Sequence, residues 1–133
     1  MVTNNPNDTN SEKILYKELS YKVMEAAFAV HNELGPGFTE VIYQEALIYE
    51  LVQRDILVER QKIISIRYHG RTIGTYKIDL IADDKIVLEL KAVSDLADIH
   101  KQQTLAYLKA TNLHLGILIN FGKSKVQYLR IAN

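Results

Sequence analysis

Residues 64–93 read ISIRYHGRTIGTYKIDLIADDKIVLELKAV. Ile64, Ile66 and Tyr68 alternate with Ser65 and Arg67, then meet the turn pair His69-Gly70. Tyr76, Ile78 and Leu80 alternate with Lys77 and Asp79 as far as Asp83-Asp84. Ile86, Leu88 and Leu90 share one face of a third run that ends near Val93. A period of two marks half-buried strands, because successive side chains of a strand point to opposite faces. Three such runs joined by short turns predict an antiparallel meander.

On the N-terminal side, Leu15, Leu19, Val23, Ala26 and Val30 recur in steps of four and three, which predicts a helix over 11–32. Gly35-Pro36-Gly37 stops it, and Thr39 caps a second helix reaching about Arg54. Its inward stripe is Tyr43, Ala46, Leu47 and Leu51. On the C-terminal side, Ser94-Asp95 opens a third helix to about Thr111, striped by Leu96, Ile99, Ala106 and Ala110. The run LGILINF at 115–121 is that of a strand covered on both faces, and Gly122-Lys123-Ser124 turns into a last strand over 126–131. The order is ααβββαββ: one mixed α/β domain over 11–133, after a flexible polar tail over 1–10.

The 133 residues and 15.2 kDa suit one compact domain. With 47% apolar and 24% charged residues, the chain has the balance of a globular protein rather than a disordered one. Cysteine is absent, which removes disulfides, thiolate zinc sites and cysteine nucleophiles and fits a reducing cytoplasm, the expected location. No apolar run approaches the roughly 20 residues that span a bilayer, and the first ten residues do not resemble a signal peptide, so no membrane partner is expected. The Asn7-Asp8-Thr9 sequon is accordingly expected to be idle. Sixteen basic and sixteen acidic residues cancel. A polyanion must therefore be held by a local patch, a metal ion or a second copy of the chain.

The sharpest chemical feature is Asp79 with Glu89-Leu90-Lys91. Glu89 and Lys91, two apart, project from one face of a strand. A three-residue turn at 83–85 sets Ala82 against Ile86, and counting back puts Asp79 opposite Glu89 with Cβ atoms roughly 5 Å apart. One lysine offsets only part of two carboxylates, so an oxygen-seeking cation such as Mg2+ would complete the balance. A wet strand face also carries such charges, but Ile81 and Val87 indicate that this face is partly covered.

Glu40, three and seven residues before Tyr43 and Leu47, falls on the second helix's inward stripe. It is either a site residue or a first-turn acid favoured by the helix dipole, worth about 0.3–1 kcal/mol. Gln103 interrupts the third helix's stripe one turn before Tyr107 and is either a core-edge amide or a group that orients a phosphate. His31, in the last turn of the first helix, is a metal or phosphate contact or a complement to the dipole. Arg60, Lys62, Arg67, Arg71 and Lys77 form the local basic patch of the first hairpin.

From Gly37-Phe38-Thr39-Glu40-Val41-Ile42-Tyr43, together with His31–Pro36, ELKAV, QTLAYLKAT and LGILINFG, the chain resembles the GxxExxY proteins of the PD-(D/E)XK nuclease-like superfamily over nearly all of its length after the tail. The resemblance implies a restriction-endonuclease-like core, a mixed sheet with a three-strand antiparallel meander flanked by helices. It implies that Asp79 is the strand-two aspartate, Glu89 and Lys91 the (D/E)XK pair, Glu40 the helical glutamate of the metal site, and Gln103 and Tyr107 a QxxxY motif beside it. Ile78 stands in place of the motif's proline, which is often missing in the superfamily. The implied activity is Mg2+-dependent hydrolysis of nucleic acid, with DNA the expected substrate and Mn2+ a substitute metal. Asp79, Glu89 and the Leu90 carbonyl would bind the metal, and Lys91 would act on the attacking water. A homodimer or a partner protein is expected to enlarge so small a platform. The competing expectation is a non-catalytic nucleic-acid- or protein-binding module that keeps the fold.

Overall fold

The computed structural model describes residues 15–133. The tail over 1–10 and the residues 11–14 of the expected first helix lie outside the described residues. The elements run α1 (Lys17–Leu34), α2 (Glu40–Gln53), β1 (Val58–Tyr68), β2 (Arg71–Ala82), β3 (Ile86–Lys91), α3 (Asp98–Thr111), β4 (Leu115–Asn120) and β5 (Gln127–Ala132). The order ααβββαββ stands. Among the described residues helix α1 begins at Lys17, after Tyr16 at a left-handed φ of 53°.

One sheet has the strand order β1-β2-β3-β4-β5. β1–β2, β2–β3 and β4–β5 pair antiparallel, whereas β3 and β4 pair parallel, which requires the crossover that α3 makes. α1 and α2 cover one face, packing Val23, Val30, Tyr43, Leu47 and Leu51 on Leu80, Leu88, Leu90, Ile117 and Ile119. α3 covers the other, where Leu108 meets Ile64, Ile78, Ile81 and Val87. Sandwiched in this way, β4 is buried at every position, as its unbroken apolar run requires.

α3 differs from expectation in start and phase. Ser94-Asp95 lies in the preceding loop, where the Asp95 carboxylate accepts from Lys123 Nζ at 2.6 Å, and the helix opens at Asp98. Its buried residues are Thr104 and Leu108, one turn apart, whereas Ile99, Ala106 and Ala110 face solvent. The reason lies in β4. A Cβ on Gly116 would stand 2.8 Å from Thr104 Cγ2, so the helix settles on the gap that this glycine leaves.

β1 and β2 outrun β3. Their outer halves leave the sheet as a two-stranded arm on which Arg71–Lys77 are all exposed.

Candidate active site at a strand fork

β2 and β3 are in register at Ala82↔Ile86, Ile81↔Val87 and Leu80↔Leu88. One step further, at Asp79 and Glu89, the ladder opens. β2 departs with β1 into the arm, while β3 continues beside β4 to Lys91↔Asn120. The β1–β2 ladder is broken at the same level, between Arg60↔Leu80 and Lys62↔Ile78, where Gln61 takes φ 52°. Ile78 and Ile81, three residues apart, consequently reach the same cluster, which a strict period of two forbids.

The fork frees backbone amides that a continuous sheet would have paired, and the two carboxylates take them up. The Asp79 N–H donates to Glu89 Oε2 at 3.0 Å, and the Leu90 N–H donates to Asp79 Oδ2 at 2.9 Å. Leu90 joins the site through that N–H. Glu89 is buried, Asp79 and Lys91 half-buried. Lys91 makes no ion pair within 4.0 Å among the described residues, yet its charge favours ionisation of both acids. Burial and then the charge of Asp79 push the Glu89 carboxyl up to about 8, while the Asp79 N–H and Lys91 act in the opposite sense. Burial also raises Asp79, opposed by the Leu90 N–H and by Lys91.

Glu40 is exposed at the start of α2 and so is not on the buried stripe. Its charge nevertheless adds to the upward push on Glu89. Tyr107 on α3 is half-buried, and its hydroxyl is raised by burial, by Glu89, by Tyr76 and by Asp79. Gln103 is exposed and interrupts no buried stripe, because the helix turns Thr104 and Leu108 inward instead. His31 is buried with Nε2 2.8 Å from the Lys123 carbonyl, and its ring lies over Phe121. A carbonyl only accepts, so that nitrogen carries a proton and cannot ligate a metal: His31 ties α1 to the β4–β5 turn. Of the basic patch, Arg60 pairs with Glu45 and Lys62 with Glu59. Arg67, Arg71 and Lys77 have no carboxylate partner among the described residues.

Among the described residues no three His, Cys, Asp or Glu side chains stand close enough to enclose a metal by themselves. The donors at the fork are all oxygens, which suits a hard divalent cation. Two adjoining acids, one of them pushed well above the usual carboxylate range by burial and by its neighbour's charge, also fit such an ion.

A family model of the PD-(D/E)XK nuclease superfamily matches residues 17–131. The chain belongs to the PD-(D/E)XK nuclease superfamily. Its fold is accordingly restriction-endonuclease-like, and nucleases of this superfamily generally use divalent metals. Among solved structures, the crystal structure of SSO0001 is similar at 19% identity with a TM-score of 0.58, over 88% of this chain. The chain spans 62% of that protein's length. No curated protein matches. Among the described residues no helix is long and apolar enough to cross a membrane.

Two supports of this PD-(D/E)XK fork escaped the reading of the sequence. The buried amide of Asn120 accepts from the N–H groups of Val93 and Gly122, at 2.9 and 3.0 Å, and donates to the Val93 carbonyl at 2.9 Å. It pins the chain two residues after Lys91. The Tyr43 hydroxyl donates to the Gly35 carbonyl at 2.5 Å and accepts from the Phe38 N–H at 3.2 Å, while its ring stacks on Phe121 at 4.7 Å. Gly37, at φ 115°, lets the loop fold back over Tyr43 and deliver Glu40 to the helix start. The signals were polar residues inside apolar runs, Asn120 in LGILINF and Tyr43 on an otherwise aliphatic stripe, and for Tyr43 also its place in the Gly37–Tyr43 motif.

Proposed function

We propose that the fork is the catalytic centre of a Mg2+-dependent nuclease that hydrolyses phosphodiester bonds in DNA, with Mn2+ as a substitute metal. The reading rests on one observation above the others: Asp79 and Glu89 exchange hydrogen bonds with each other's strands at the opening of the sheet, with Lys91 beside them. Asp79, Glu89 and the Leu90 carbonyl would hold the metal, with Glu40 joining directly or through water. When bound, a divalent cation supplies charge neutralisation at the scissile phosphate and lowers the pKa of water. Lys91 would orient the attacking water as an ammonium, or help deprotonate it from its neutral amine form, and as the ammonium would stabilise the charge gathering on the phosphorane. Tyr107, with Gln103 one turn before it, steadies the acids. The GxxExxY residues give the branch of the superfamily, and a cytoplasmic setting belongs to the same reading.

The test is incubation of the chain with plasmid, linear duplex, single-stranded DNA and RNA in Mg2+ or Mn2+. Cleavage is expected, abolished by EDTA and by Asp79→Ala and Lys91→Ala with circular dichroism unchanged. Cleavage that survives in both variants comes from a contaminant and refutes the assignment. A specific observation favours the second reading, a binding module: both carboxylates already satisfy backbone amides. Metal-independent binding without cleavage of any substrate would establish it. Glu40→Gln separates its two roles: weaker Mg2+ binding with an unchanged melting temperature places it at the metal, whereas the converse leaves it a helix-dipole acid.

A further inference from the structure

A groove of about 460 Å³ runs between the arm and the C-terminal half of α3. That volume lies in the range that accepts a drug-sized ligand, about 300–1,000 Å³. Ile66, Arg67 and Tyr76 line it from the arm, Ala106 and Lys109 from the helix. Tyr76 is 51% exposed, and its ring meets Tyr107 edge to face at 5.3 Å. Tyr107 in turn lies within the field of Glu89 and Asp79. Tyr76, on the groove wall, thus touches the tyrosine that feels the charge of the fork's acids.

The charge of its walls is one-sided. In a chain with sixteen acidic residues, none falls between Lys62 and Ile78 and none between Ile99 and Asn112, the two stretches that form the walls. The first carries Arg67, Arg71 and Lys77, none with a carboxylate partner among the described residues, and the second carries Lys109 facing the groove. Arg67 is held in place by an Nη2 bond to the Gly70 carbonyl at 2.6 Å, which leaves its other donors available.

Resting on the nuclease reading, we propose that this groove takes one unpaired nucleotide of a single-stranded substrate, its base stacked on Tyr76 and its flanking phosphates met by Arg67 and Lys109. An aromatic face bordered by cations is the combination that binds single strands with little regard to sequence. A base inside a duplex is stacked on both faces and offers none to the ring of Tyr76, so a duplex is the poorer ligand. A protein partner would need acidic groups for the walls and would gain nothing particular from the ring of Tyr76.

The test is fluorescence anisotropy of the full chain in EDTA, where no cleavage occurs, with a fluorescein-labelled oligothymidine and with a duplex of equal length. The single strand is expected to bind more tightly than the duplex. Tyr76→Ala should weaken it about 5- to 150-fold and Tyr76→Phe should restore it, as loss of one base–aromatic stack predicts. Arg67→Ala with Lys109→Ala should flatten the slope of log K against log salt by about 0.7 for each phosphate that is no longer neutralised. The proposal is overturned if Tyr76→Ala binds like the wild type, if the duplex binds better, or if neither ligand binds. A Tyr76→Ala chain that failed to fold would leave Tyr76→Phe and the salt slope to decide. Cleavage assays with Asp79→Ala judge the catalytic fork separately, so either idea can fail while the other stands.

Discussion

Glu89 holds a proton that a free glutamate would have lost. Its carboxyl titrates at about 8 in the folded chain against an ordinary 4.5, with Asp79 shifted the same way. Between those values the native state binds more protons than the unfolded chain, so unfolding free energy falls as pH rises through that window. In EDTA, the wild-type melting temperature should therefore drop from pH 5 to pH 8 relative to Glu89→Gln, and Mg2+ at pH 8 should raise the wild type alone. Parallel melting curves for the two proteins would contradict this account. Tyr43 acts through the loop that delivers Glu40. Removing its hydroxyl leaves the Gly35 carbonyl and the Phe38 N–H without that partner, a loss of about 1–3 kcal/mol. Tyr43→Phe is expected to melt earlier and to bind Mg2+ more weakly, whereas an unchanged metal affinity would detach the loop from the site.

At the level of elements, the fork depends on the join between β3 and β4. Asn120→Ala strands two N–H groups, those of Val93 and Gly122, and should cost about 1–3 kcal/mol in urea unfolding. Gly122→Ala would press a Cβ to within 2.4 Å of the Val93 carbonyl and should destabilise in the same place. Stability unchanged by either substitution would mean that the segment after Lys91 is not pinned as described. The meander was legible because period two leaves little freedom: the turn at 83–85 sets Ala82↔Ile86, and counting holds as far as Leu80↔Leu88, one step short of Asp79 and Glu89, where the ladder opens. The phase of α3 was not. Ile99, Ala106 and Ala110 imitate a buried stripe, and what rotates them outward is a glycine in another strand, which no periodicity within the helix can report. Glu40 sat on the stripe by spacing but lies at the first residue of its helix, where the stripe has not yet reached the core.

On the scale of the whole molecule, the chain has no net charge and segregates its sign instead. The arm carries cations without carboxylates, whereas Arg54 and Arg60 are neutralised by Glu50 and Glu45. The arm also exposes Ile63, Tyr68 and Ile73, each more than half accessible. Phosphate contacts normally dominate nucleic-acid affinity, and so small a surface offers few of them. A homodimer or a partner protein is expected on that ground, and the homodimer predicts twice the chain mass by light scattering and cleavage that falls steeply on dilution through the dissociation range. A monomer with full activity at every concentration would remove the second copy from the account. The arm's departure from the sheet was hidden in the sequence, because alternation continues through Tyr76 and Lys77 whether or not a third strand lies alongside.

A crystal of the chain soaked in Mn2+ and measured at the manganese absorption edge tests the centre of this account most directly. One anomalous peak is expected between the carboxylates of Asp79 and Glu89, absent from Asp79→Ala crystals grown in the same form. No peak at the fork in wild-type crystals at saturating Mn2+, or a peak that persists unchanged in the variant, would contradict the account.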